Sequence, residues 1–157
     1  MQQQCNFTGT NISLVKRAGL GLHLWHNGTN PAMFQMVMRP YLSPITVGSY
    51  PKSMRSLVKN RLPVFKGFQK LKVAGSYDFL GINYYTSYWA SNTTSDPSKL
   101  SYTTDSQVDL ELVCIRKQIG PKAGDSDWIY IYPVGMKKFL NYIKKNYKSP
   151  LMVITEN

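Results

Sequence analysis

Asp78-Phe79-Leu80-Gly81-Ile82-Asn83-Tyr84-Tyr85 is the stretch on which the fold turns. It is a short apolar and aromatic run without polar alternation, and such a run reads as a strand buried on both faces. Leu151-Met152-Val153-Ile154-Thr155 is a second buried strand by the same reading. Between them lie residues 86–127, rich in Ser, Thr, Asp and Asn, and longer than a plain connection in a compact domain; such loops tend to be functional. Pro133 then opens a helix in which Met136, Phe139, Leu140, Ile143 and Tyr147 recur at three- and four-residue steps, until Ser149-Pro150 ends it. Strand, long loop, helix, strand is a βαβ unit, for which a right-handed parallel crossover is the default. The expected fold class is α/β.

In such units the loops leaving the carboxyl ends of the strands build the active site. Both Tyr85 and Glu156 stand at those ends. Adjacent strands lie about 5 Å apart, so a tyrosine hydroxyl on one can reach a carboxylate on the other.

Upstream, Pro51 suits the first turn of a helix, and Met54, Leu57 and Val58 follow at helical spacing until Pro63, which predicts a helix over 52–60. Phe65, Phe68 and Leu71 repeat the spacing, with Gly75 placed to end a second helix. Residues 1–38 show no sustained periodicity and are expected to be an irregular segment. His23 and His26 flank Trp25 there, without the third ligand that a metal site requires.

Composition narrows the function classes. The 157 residues are 43% hydrophobic and 13% aromatic, which suits one globular unit. No apolar run approaches the roughly 18 residues of a membrane span, and no secretory signal follows Met1. Cys5 and Cys114 are too few for a disulfide framework or a metal site and are read as unpaired. Four glycosylation sequons begin at Asn6, Asn11, Asn27 and Asn92, and they matter only in the secretory pathway. The net charge of +11 suits a polyanion, but the basic residues are dispersed. The densest group, Lys137, Lys138, Lys144, Lys145 and Lys148, alternates with apolar positions of one helix and is expected to be its solvated face. No nucleic acid or membrane partner is expected.

Glu156, one of two glutamates in the chain, directly follows an apolar strand, where a carboxylate needs partners or a task. Four strings set its context: Tyr50-Pro51-Lys52-Ser53-Met54, then Asp78 to Thr86, then Asp127-Trp128-Ile129-Tyr130-Ile131-Tyr132-Pro133, then Ile154-Thr155-Glu156-Asn157. Together, and in this order, they resemble family 1 glycoside hydrolases, especially plant β-glucosidases. The resemblance covers residues 39–157. It implies a (β/α)8 barrel of which this chain supplies roughly the sixth and seventh strands, a β-glycoside as substrate, and no cofactor or metal. It further implies that Glu156 is the catalytic nucleophile, Tyr85 the tyrosine that hydrogen-bonds it, and Trp128 part of the aglycone-binding region, with Asn83 contributing from the same strand motif as Tyr85. Many complete plant relatives are vacuolar or extracellular.

Retaining glycosidases use two carboxyl groups about 5 to 5.5 Å apart, one attacking the anomeric carbon and the other protonating the leaving oxygen. The nucleophile must stay charged, which a tyrosine hydroxyl donating to it favours. An aromatic wall such as Trp128 can stack on a sugar or an aromatic aglycone. The family's acid/base glutamate lies in an Asn-Glu-Pro motif, and no Asn-Glu pair occurs in this chain. Glu111, Asp125 and Asp127 do not resemble that motif, and Ser43 and Ser49 replace acidic residues common around the Tyr50-Pro51 segment. The chain alone is therefore expected to be inactive, with weak stability because two strands cannot close an eight-stranded barrel. The alternative is a non-catalytic remnant that binds a sugar, a glycoside or a full-length relative.

Overall fold

The structure is a computed structural model that describes residues 6–8, 10–15, 22–26, 42–94, 96–101, 104–114 and 117–157. Strand β4 (Phe79–Asn83) and strand β9 (Met152–Glu156) are neighbours and run parallel, with helix α4 (Pro133–Asn146) on the connection between them. This is the βαβ unit read from the two apolar runs.

Helix α4 forms where expected because its apolar residues fall on one stripe and Pro133 occupies a first-turn position that needs no N–H partner. Phe139, Ile143 and Tyr147, four residues apart, are buried. They pack with Leu80 and Ile82 of β4 and with Leu42 from a helix over 42–47, α1. The lysines Lys137, Lys138, Lys144, Lys145 and Lys148 are exposed, as a solvated face requires. Lys144 and Lys145 also lie in the last turn, where cations complement the helix dipole. The chain leaves α4 through Lys148 and Ser149, both at positive φ (59° and 49°), and Pro150 delivers it to β9.

Helix α2 (Lys52–Val58) continues as a 3-10 turn, Lys59–Arg61, close to the predicted 52–60. Helix α3 (Gly67–Val73) ends at a turn where Gly75 takes φ of 73°, a conformation that glycine adopts without side-chain strain. The apolar residues of α3 do not enter the core: Phe68 and Leu71 are 65% and 81% exposed.

Three expectations need correction. First, the segment 1–38 is not wholly irregular. It supplies β1 (Asn6–Thr8), β2 (Thr10–Val15) and β3 (Leu22–His26), and β2 lies antiparallel to β4, giving the order β3-β2-β4-β9. The alternation of Asn11 and Ser13 with Ile12 and Leu14 is the period of a strand, too brief to stand out until β4 offers an edge to pair with. Second, β9 is not buried. Val153 and Ile154 are 40% and 42% exposed, because β9 is the outermost strand of its sheet among the described residues. Burial on both faces holds for β4, where Leu80 to Asn83 are all buried.

Third, residues 86–127 carry regular structure. β5 (Tyr88–Asn92) pairs antiparallel with both β1 and β6 (Val108–Glu111), and β7 (Val113–Cys114) with β8 (Lys117–Gln118). Arg61 fastens this excursion to the helical part with a two-pronged ion pair to Asp105, at 2.6 and 2.9 Å. Cys5 and Asn27 lie outside the described residues, as does the side chain of Cys114.

Candidate active site

The parallel pair ends in a register shift. Leu80, Gly81 and Ile82 face Met152, Val153 and Ile154 in step, but Asn83 is paired with Glu156 rather than Thr155. Strand β9 thus carries one extra residue, a bulge, and bulges next to active sites re-aim the side chains that follow. In unbroken alternation Glu156 would share the face of Met152 and Ile154, the face turned to α4. The extra residue returns it to the position opposite Asn83.

Two contacts hold this end. The Tyr84 amide donates to the Glu156 carbonyl at 2.9 Å, closing the pairing that the Leu80 amide opens with the Leu151 carbonyl at 2.9 Å. The Thr155 hydroxyl donates to the side-chain oxygen of Asn83, which is only 4% exposed. Glu156 itself is exposed.

Just beyond β4, Tyr85 and Trp128 meet edge to face, with ring centroids 5.9 Å apart and planes at 74°. Trp128 is 39% exposed, which leaves aromatic surface open at this end of the sheet. The two rings are 43 positions apart in sequence, counting from 85 to 128, and they are brought together by the turn after β4. There the Thr86 hydroxyl donates to the Tyr130 carbonyl and accepts from the Tyr130 amide, both at 2.9 Å. The Tyr84 hydroxyl donates to the Tyr132 carbonyl at 2.7 Å and lies 2.6 Å from the Ser87 hydroxyl. Burial pushes the Tyr84 phenol pKa up, an effect that the Ser87 hydrogen bond partly offsets.

Gly120 completes the seat of this segment. A Cβ there would collide with the Ile131 carbonyl, so only glycine allows the close approach. The Ile131 amide donates to the Pro121 carbonyl at 2.8 Å, and Lys122 bridges Tyr130 as an antiparallel pair.

All four residues singled out in the sequence therefore sit at the carboxyl end of the β4–β9 pair: Asn83 and Glu156 in register, Tyr85 and Trp128 as an aromatic wall. Sequence reasoning missed Thr86 and Thr155, whose roles depend on partners 44 and 72 positions away. A hydroxyl side chain inside an apolar motif was the only signal. Among the described residues no three His, Cys, Asp or Glu side chains group as a metal site, and no helix is long and apolar enough to cross a membrane. His23 and His26 fall on β3.

Comparison with known proteins bears on this geometry. The sequence model described as glycosyl hydrolase family 1 matches residues 28–157. Its first matched residue is 28, eleven positions ahead of the expected boundary at 39. The raucaffricine-O-β-D-glucosidase of Rauvolfia serpentina is 46% identical over 120 residues, which cover 74% of this chain and 22% of that protein. β-Glucosidase 24 of Oryza sativa subsp. japonica is 47% identical over 118 residues, covering 74% and 23%. Among solved structures, the rice Os3BGlu6 β-glucosidase superposes with a TM-score of 0.70 at 34% identity, over 78% of this chain and 26% of that one. The Trichoderma harzianum β-glucosidase gives 0.65 at 35%, over 80% and 26%. This chain spans about a quarter of the length of these relatives.

Proposed function

Because the chain belongs to glycosyl hydrolase family 1 and its β4–α4–β9 unit is part of a (β/α)8 barrel, we propose that it carries the nucleophile side of a retaining β-glycosidase site. The observation that carries this reading is the bulged register that sets Glu156 opposite Asn83 at the carboxyl end of two parallel strands, where barrel enzymes keep their chemistry. Glu156 attacks the anomeric carbon and forms a glycosyl ester. The aglycone oxygen leaves with a proton from a second carboxyl group that this stretch of sequence does not supply, and water then releases the sugar by the reverse of the same steps.

Each remaining residue has a task consistent with its chemistry. Tyr85, at the end of the neighbouring strand, is the residue assigned to donate its hydroxyl to the Glu156 carboxylate. Asn83, its oxygen occupied by Thr155, has an NH2 group left to donate to a sugar hydroxyl. Trp128, with Tyr85 at its edge, offers a face on which an aglycone can stack. Alone, that wall also suits the second reading, a non-catalytic glycoside binder.

The two halves of the mechanism can be tested separately, since a dinitrophenolate leaving group departs without a proton. Incubation with a dinitrophenyl 2-deoxy-2-fluoro-β-glucoside is expected to add one fluoroglucosyl mass to the peptide containing Glu156. No adduct there, or an adduct that persists in Glu156→Gln, overturns the nucleophile assignment. Turnover of an ordinary nitrophenyl β-glucoside by this chain alone is expected to be absent. Release of nitrophenol that Glu156→Gln abolishes would show that no further carboxyl group is required.

A further inference from the structure

The turn after β4 contains one side chain whose bonding is unusual for a turn residue. Thr86 is 5% exposed, and its single hydroxyl is bonded to both polar groups of one peptide residue, the Tyr130 carbonyl and the Tyr130 amide, each at 2.9 Å. Tyr130 is itself 7% exposed, so neither of its backbone groups has ready access to water. Leaving either unmade is costly, because a buried polar group without a partner loses its hydration and gains nothing in return. The hydroxyl therefore acts as a short cross-strand rung between the end of β4 and the segment 128–132, where no backbone ladder joins them.

Position makes this rung relevant to the site. Thr86 follows Tyr85 directly, and Tyr130 lies two residues after Trp128. A bond between 86 and 130 consequently sets the separation of the two rings that meet at 5.9 Å. Other anchors hold the same segment from its far side: the Ile129 carbonyl accepts from the Ala123 amide at 2.9 Å, the Ile129 amide donates to the Ser126 hydroxyl at 3.2 Å, and the Ile131 amide donates to the Pro121 carbonyl at 2.8 Å. Thr86, with the Tyr84 bond to Tyr132, thus ties the segment to the β4 side.

We infer that Thr86 is a positioning residue for the aromatic wall, holding Trp128 against Tyr85 through its two hydrogen bonds to Tyr130. The inference rests on the proposed role of that wall in glycoside binding for its functional meaning, while the positioning itself is measurable without any ligand. Its requirement is a hydroxyl at position 86. Serine meets it, whereas valine, of nearly the same shape, does not.

Nuclear magnetic resonance on the chain labelled at its tryptophans and backbone amides tests this. Tyr85→Leu first identifies the ring-current shift that Tyr85 imposes on the Trp128 indole. Thr86→Val is expected to move the Trp128 indole resonances toward their positions in Tyr85→Leu and to lower hydrogen-exchange protection of the Tyr130 amide about tenfold or more. The Leu80 and Ile131 amides, whose carbonyl partners are Leu151 and Pro121, keep their protection. Thr86→Ser is expected to match the parent chain on every signal.

Trp128 resonances unchanged in a folded Thr86→Val chain overturn the assignment. So does a displaced Trp128 signal in folded Thr86→Ser, a result that decides the matter even if the valine variant fails to fold. Titration with a nitrophenyl β-glucoside addresses the functional reading independently. Weakened binding in Thr86→Val with retention in Thr86→Ser supports it. Absence of binding in the parent chain counts against the proposed function of the wall and leaves the resonance result to decide the role of Thr86.

Discussion

Thr155 donates its hydroxyl hydrogen to the side-chain oxygen of Asn83 at the one place where the parallel strands β4 and β9 slip out of step. The residue that makes the bulge is thus also the residue that ties it down. Asn83 is buried, and the register beyond Ile82 pairs it with Glu156.

Thr155→Val keeps the shape and removes the donor. The expected cost is about 1 kcal/mol of stability, since Thr155 is exposed and only the asparagine side of the bond is buried. The specific signature is lower exchange protection at the Tyr84 amide, which donates to Glu156, with the Leu80 amide unaffected. Thr155→Ser restores both. Equal loss at Tyr84 and Leu80 would mean that the bond supports the whole strand pair rather than the bulge.

Ile143→Ala empties the contact between α4 and β4. Ile143 is fully buried in the cluster with Leu80, Ile82 and Phe139. Large-to-small changes at such sites cost about 2–5 kcal/mol. A sheet with the outer strand β9 half uncovered has little reserve, so the urea midpoint is expected to fall sharply or the cooperative transition to vanish. A midpoint within error of the parent would show that α4 is not packed on β4 in solution.

Gly120→Ala places a methyl group against the Ile131 carbonyl. Backbone must move, and overpacking of this kind costs about 1–3 kcal/mol. The displaced segment is the one that carries Trp128, so the near-ultraviolet circular dichroism of the Tyr85–Trp128 pair is expected to diminish. An unchanged spectrum and melting point would refute the close approach.

Alkaline pH should loosen the fold through its tyrosines. Burial raises the phenol pKa of Tyr84, Tyr77 and Tyr88 above the ordinary value of about 10. The fold favours the neutral phenol, so this contribution is complete below pH about 10 and is lost as pH rises through the raised folded values. Tyr84, 4% exposed, is expected to contribute most. Tyr84→Phe therefore starts less stable at neutral pH, having lost its bond to Tyr132, but its urea midpoint declines less steeply above pH about 10. Parallel declines in both chains would remove Tyr84 from this account.

Much of this was legible in the residues. The two apolar runs and the periodic stretch between them specify β4, α4 and β9, because strand and helix periods act locally and need no knowledge of neighbours. The candidate site residues Asn83, Tyr85, Trp128 and Glu156 were singled out by the resemblance of their motif strings to family 1 glycoside hydrolases rather than by any local period. Less was legible in residues 6–26 and 86–127. Their strands carry no continuous apolar run of the kind that marks β4 and β9, so partners supplied from elsewhere decide whether they form at all.

By itself, then, the sequence determined that β4 and β9 would be strands joined through α4, and that Glu156 would stand at the end of one of them. Only the tertiary structure decided which way Glu156 is set, since a single extra residue at Thr155 reverses the alternation on which any sequence-based facing depends. It also decided that β9 is an outer strand with Val153 and Ile154 partly exposed, and that Thr86 reaches Tyr130. Those outcomes depend on contacts between residues far apart in the chain, where spacing carries no information and the burial of each polar group must be satisfied by whatever partner the fold brings near.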